Sequence, residues 1–301
     1  MSRRSGQPRR PERRRERGVA LVVVLWGLAL VAVAVIAIGL AGRSQTLLAR
    51  NAVENARARL AAEAGVQLGL RHLLAAAAQG GAVRSFDGTP ETWKSGDGAD
   101  VAVAIRDEGG KIDLNEAPPE LLAGLAVEAG APPEEAQRIA CAIVERRGYL
   151  PAGCVPSGVT PGLFAALEEL RFVPGVTDAL YLRMAPAATV HSGAVTIDPR
   201  AAGREALLAV PTLAPDIVDS ILARRETRHG ADWREDLLSG DPDADLLRDR
   251  RYFSVSAAQV FAIAASARST GGGRAKAEAV VRLTGDAKRP YLVLAWREPS
   301  G

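Results

Sequence analysis

The sequence predicts an α+β protein. One very long N-terminal helix, apolar in its first half, should lie on an antiparallel sheet, with a large helical domain inserted between the strands. Three observations carry this. Residues 19–42 form an unbroken run without a charged side chain. Residues 43–78 continue without proline and are rich in Ala, Leu, Arg and Glu. Strand-like segments stand before residue 115 and again after residue 250, and residues 116–249 between them have helical character.

The apolar run is long enough to cross a membrane. Its 24 residues, VALVVVLWGLALVAVAVIAIGLAG, make a helix of ~36 Å against a hydrocarbon core of ~30 Å. Residues 1–18 before it carry Arg3, Arg4, Arg9, Arg10, Arg13, Arg14, Arg15 and Arg17 against Glu12 and Glu16. Such a basic leader stays cytoplasmic, which places residues 43–301 across the membrane. A cleaved secretory signal is the alternative, since Gly39-Leu40-Ala41 supplies a small-x-small site. The run, however, exceeds the 7–15 residues of a signal core, and the retained anchor is preferred.

Beyond the span, residues 43–80 extend the helix outward. Val53, Ala56, Leu60, Ala64 and Leu68 recur at helical spacing, so this half is amphipathic. Gly65 and Gly69 each weaken a helix by about 1 kcal/mol unless close packing on a sheet requires them. Gly80-Gly81 ends the rod.

The sheet is assigned to residues 81–115 and 250–301. Segments 83–86, 101–106 and 111–114, then 252–264, 279–283 and 291–297, have the alternation and β-branching of strands. Gly271-Gly272-Gly273 and Gly285-Asp286 read as hairpin connections.

The insertion, residues 116–249, contains an internal echo. Gly110 to Asn115, then Glu120-Leu121-Leu122-Ala123, Ile139 to Ile143 and Arg146-Arg147, matches in order Gly193 to Asp198, Ala206-Leu207-Leu208-Ala209, Ile217 to Ile221 and Arg224-Arg225. Each unit is a short strand, an Asn or Asp suited to capping, and two helices, the second ending in paired arginines.

Composition narrows the function. Apolar residues make up 48% and charged residues 24%, with mean hydropathy +0.02, as for a globular protein with one anchor. Of the formal net charge of +3, the leader holds eight arginines against two glutamates, which leaves −3 for residues 18–301. That balance argues against a nucleic-acid-binding outer domain. The histidines His72, His191 and His229 lack metal-ligand spacing, and no nucleophile or phosphate-loop motif is present, so no catalysis is expected. Cys141 and Cys154, 13 residues apart, form either a bridge in an oxidising compartment or a buried thiol and its loop neighbour. Asp241, Asp243 and Asp245 alternate as at the start of a calcium loop, but Leu246 stands where glycine is needed and Arg251 where glutamate is. A solvated acidic turn is the preferred interpretation.

Two stretches carry a family resemblance. Arg17-Gly18-Val19 resembles the processing junction of prepilins and pseudopilins, cut after the glycine and methylated on the new terminus, here Val19. Most of that family has glutamate at the fifth mature position; this chain has Val23. A carboxylate in the bilayer costs ~2.5–3.5 kcal/mol and persists where it has a partner, so a subunit lacking it fits where no subunit lies ahead. Gly110-Lys111-Ile112-Asp113-Leu114-Asn115 resembles the GKINLN signature of general secretion pathway protein K, the large minor pseudopilin of type II secretion, and Leu170 to Val176 resembles its later Pro-Gly turn.

The resemblance implies a pilin-like fold at the tip of, or initiating, the periplasmic pseudopilus. It also implies partners among the I, J and H minor pseudopilins and the inner-membrane platform. The chain would then sit in the inner membrane as a single pass, its bulk periplasmic, with no small-molecule substrate and no required cofactor. The family's calcium binding bears on Asp241, Asp243 and Asp245. The competing interpretation is a membrane-anchored nucleic-acid receptor, because Val173-Pro174-Gly175-Val176 and Val210-Pro211-Thr212-Leu213 are similar to helix-hairpin-helix turns.

Overall fold

A computed structural model describes residues 16–78, 86, 88–227, 247, 249–254 and 259–298. The first element, α1 (Glu16–Ala78), is a single helix of 63 residues, ~95 Å long. It starts at Glu16, so Gly18 sits in its first turn. The rod runs without a break from the apolar stretch into its outer half.

That outer half packs on a five-stranded antiparallel sheet in the order β1-β2-β5-β6-β7. The strands are β1 (Glu91–Lys94), β2 (Asp100–Asp107), β5 (Val260–Arg268), β6 (Arg274–Asp286) and β7 (Arg289–Arg297). Val101, Val103 and Ile105 of β2 stand in register with Ala267, Ala265 and Ile263 of β5. All six point at α1 and are buried with Val66, Leu70 and Leu73. Alternation by two along each strand thus produces one apolar face, and the helix covers it.

The insertion separates β2 from β5, and it begins earlier in space than in pattern. β3 (Ile112–Asp113), expected with the main sheet, instead pairs in parallel with β4 (Ala188–Thr189). Around this ribbon stand α2 (Pro119–Glu128), α3 (Pro133–Arg146), α4 (Asp178–Met184), α5 (Arg204–Leu208) and α6 (Pro215–Thr227). Their shared core includes Leu121, Leu125, Ile139, Ile143, Leu170, Met184, Leu207 and Ile221. The strand expected from Tyr252 is corrected likewise. Tyr252 and Phe253 belong to this helical core, with Phe253 bridged to Ile197, and β5 starts only at Val260. Large aromatic side chains go where a cavity accepts them, whichever pattern surrounds them.

Two short strands were not predicted. β1 has four residues, ETWK, without an apolar alternation, and β4 has two. Both form because a neighbouring strand offers unpaired backbone groups.

Candidate assembly surface

The amphipathic outer half of α1 has two sides, and the sheet takes the less obvious one. The buried side runs Glu54, Ala58, Ala61, Ala62, Gly65, Val66, Gly69, Leu70, Leu73. It is narrow and small because the helix lies against the strands. A Cβ on Gly65 would stand 2.8 Å from Val101 Cγ1 and 2.9 Å from Ala265 Cβ, and one on Gly69 2.7 Å from Ile263 Cγ2. The glycines are there for close approach.

The stripe that marks the helix in the sequence is on the other side. Val53, Leu60 and Leu68 are 51%, 65% and 37% exposed, and Ala56 and Ala64 between them are exposed as well. Leu47 and Leu48 are exposed nearer the apolar first half of the helix. A ladder of apolar side chains that a folded domain leaves uncovered marks an interaction surface. Further in, Val19–Ala37 is apolar and wholly exposed, as a helix destined for lipid would be.

One carboxylate holds the rod in place. Glu54, buried on the sheet side, accepts a hydrogen bond from Gly271 N at 3.0 Å and pairs with Arg57 at 2.7 Å. The Ser269 hydroxyl, then the Gly271 N–H and Arg57, hold its carboxyl below the usual range against opposing desolvation. The triple glycine between β5 and β6 is therefore more than a turn. A Cβ on Gly273 would strike the Glu54 carbonyl, so the hairpin must be bare where α1 crosses it.

The signature residues 110–115 join the two cores. Gly110 backs onto the Ala201 carbonyl so closely that a Cβ would collide with it. Lys111 Nζ reaches the buried Glu108 at 2.5 Å. Ile112 and Leu114 are fully buried in the helical core. Asp113 accepts from Asn115 N (2.8 Å), Ser192 Oγ (2.9 Å) and Gly193 N (2.8 Å). Beside them, Asp107 accepts from Gly109 N at 2.8 Å, and burial pushes its carboxyl up to about 6.

The internal echo is present, with its register and its caps corrected. Asn115 caps no helix: the N-cap positions of α2 and α5 are Pro118 and Gly203, neither with a side-chain cap. Asn115 instead clasps Phe164, donating to its carbonyl at 3.0 Å and accepting from its N–H at 2.8 Å. The counterpart of Asp198 is Asp113. Each carboxylate accepts from the N–H two residues on, Asn115 at 2.8 Å and Arg200 at 2.9 Å. Each carbonyl then takes the next two N–H groups, from Glu116 and Ala117 or from Ala201 and Ala202. The second arginine of each pair closes its own turn. Arg147 donates to the Leu114 and Ala117 carbonyls, both at 2.7 Å, and Arg225 to those of Ala202 and Pro199. Desolvation brings the Arg147 guanidinium down to about 10.

Other predicted positions fall as follows. Val19 and Val23 lie exposed on α1, 65% and 64%. Cys141 on α3 and Cys154 are joined as a disulfide, with Cα atoms 5.7 Å apart. Asp241, Asp243 and Asp245 lie outside the described residues, as does His229. Of the two hairpin turns, that at Val173–Val176 presents Gly175, exposed, in the left-handed region (φ 89°), where an added Cβ would meet Ile139 Cγ1 of α3 at 3.0 Å. The role of Glu54 and the sidedness of α1 were missed from sequence; Gly271 and Gly273 were the available signal.

These elements define a pilin-like α+β chain with a helical domain inserted between the second and third strands of its sheet. No family model matches the sequence, and no curated protein does. Among solved structures, a chain in the GspK-GspI-GspJ complex of the type 2 secretion system of enterotoxigenic Escherichia coli has this fold. The TM-score is 0.58 at 17% identity, over 86% of this chain and 99% of that one.

Proposed function

We propose that this chain is a non-enzymatic minor pseudopilin of a type II protein secretion system, set at the tip of the periplasmic pseudopilus or initiating it. The observation that carries this is the uncovered apolar stripe on α1, which continues from the membrane span to Leu68 on the side away from the sheet. A helix with its own domain on one side and an unshared apolar ladder on the other is built to pack against similar helices. The likeness to a chain from the GspK-GspI-GspJ complex supports sibling pseudopilins as those helices. The inserted domain at the far end of the rod obstructs addition of another subunit above it. Val23, in place of the carboxylate, leaves nothing in the membrane to receive a subunit ahead.

On this proposal the leader is cytoplasmic, the chain spans the inner membrane once, and processing falls between Gly18 and Val19. The formal charge of −3 on residues 18–301 favours this function over a nucleic-acid receptor, which needs a basic face. Amino-terminal sequencing of the protein from membranes tests the proposal. A mature chain beginning at Val19 supports it; one beginning at Arg43, or still at Met1, rejects it.

A further inference from the structure

We infer that the exposed stripe of α1 takes a parallel sibling helix carrying two carboxylates about 21 residues apart, set to meet Arg50 and Arg71. Along the outer half of α1 the exposed Val53, Ala56, Leu60, Ala64 and Leu68 recur every three or four residues, the seam of a helix pair. Two arginines lie inside that seam. Arg71 is 18 residues, about five turns, from Val53 and so in line with it; Arg50 stands in the same relation to Leu68. Both are exposed, and neither has an ion pair among the described residues. Between them Arg57, seven residues after Arg50, gives one nitrogen to Glu54 at 2.7 Å and stays 55% exposed. The chain offers them nothing more. From residue 43 to residue 78 its only carboxylates are Glu54, buried on the sheet side, and Glu63, held by Arg59 at 3.1 Å.

Position in the seam chooses the occupant. Any helix that covers Val53, Leu60 and Leu68 also covers Arg50 and Arg71, and a charge desolvated without a partner is costly. A wholly apolar helix therefore does not fit. A second copy does not fit either. Siblings that cross the bilayer in the same direction lie parallel to α1, so a copy in register sets Arg71 against its own equivalent. It brings no carboxylate beyond Glu63, which Arg59 already holds, and juxtaposed like charges are unfavourable. A helix with carboxylates at the spacing of Arg50 and Arg71, ~32 Å along the axis, satisfies both and fixes the axial register of the pair. The opposite flank asks for no charge, because Arg59 is met by Glu63 and, at 2.6 Å, by Glu298. This choice of occupant deepens the proposed function and rests on it.

The test is co-purification of the full chain in detergent with its I and J siblings. The Arg50→Glu/Arg71→Glu double variant, checked for an unchanged circular dichroism spectrum, should weaken the complex about tenfold or more. Changing to lysine the two sibling-helix carboxylates about 21 residues apart should restore it, which loss of a merely structural side chain would not allow. A complex that forms equally well with the reversed arginines overturns the acidic occupant and leaves the pseudopilin assignment standing. A loss that no sibling reversal restores does the same. Absence of any complex with the unaltered chain overturns both. Self-association of the chain alone, abolished by Leu60→Gln, makes a second copy the occupant and overturns the choice of partner.

Discussion

Asp107 shows how one buried side chain ties stability to pH. Its carboxyl is raised to about 6 from 3.8, chiefly by desolvation. The folded state therefore holds a proton that the unfolded chain has already released. Between pH 3.8 and about 6 this group lowers stability as pH rises, by a total of about 2–3 kcal/mol at 1.36 kcal/mol per unit. Asp107→Asn keeps an acceptor for Gly109 N and should flatten that slope, with a higher midpoint of thermal unfolding at pH 7.5. At this scale Arg147 also makes a sharp claim. A lysine cannot span two carbonyls both held at 2.7 Å, so Arg147→Lys should cost about 1–3 kcal/mol in urea unfolding. The paired arginines were legible in the sequence as helix ends. Their work, closing the turn after each aspartate, was not, because its carbonyl partners are 23–33 residues away.

Among the elements, α1 is where local pattern and tertiary contact part company. The spacing of Val53, Leu60 and Leu68 identified a helix correctly but belonged to its open side. The side against the sheet mixes alanine and glycine, which carry little hydrophobic signal, with Val66, Leu70 and Leu73, and strand side chains fill the space over the glycines. Gly69→Val should therefore destabilise the fold by about 1–3 kcal/mol through overpacking on Ile263, despite better helix propensity. Leu60→Gln should leave the unfolding midpoint unchanged and reduce co-purification with sibling subunits. The disulfide belongs here as well. It ties α3 to the loop after it, and Cys141→Ser/Cys154→Ser should lower stability by about 2–3 kcal/mol.

For the whole molecule, the proposed tip position depends on two separated features, a membrane segment without a carboxylate and a bulky outer domain. Val23→Glu should leave association of the outer domains intact, since Val23 is far along the rod from Glu54 and the sheet. Loss of sibling outer-domain binding in that variant would contradict the division of labour. The two apolar cores explain how the insertion is tolerated. Each has its own buried side chains, and the chain crosses between them at the signature residues and again before β5.

By itself the sequence determined the long helix, its apolar first half, the hairpins at the far end and a helical insertion with an internal echo. These follow from composition and short-range period, which any window of residues displays. Only the tertiary structure decided which side of the helix meets the sheet, that Ile112 to Leu114 and Tyr252 to Phe253 join the helical core, and that Asp113, not Asn115, is the counterpart of Asp198. Those depend on which groups the folded chain brings together across tens to hundreds of residues, and no periodicity records them.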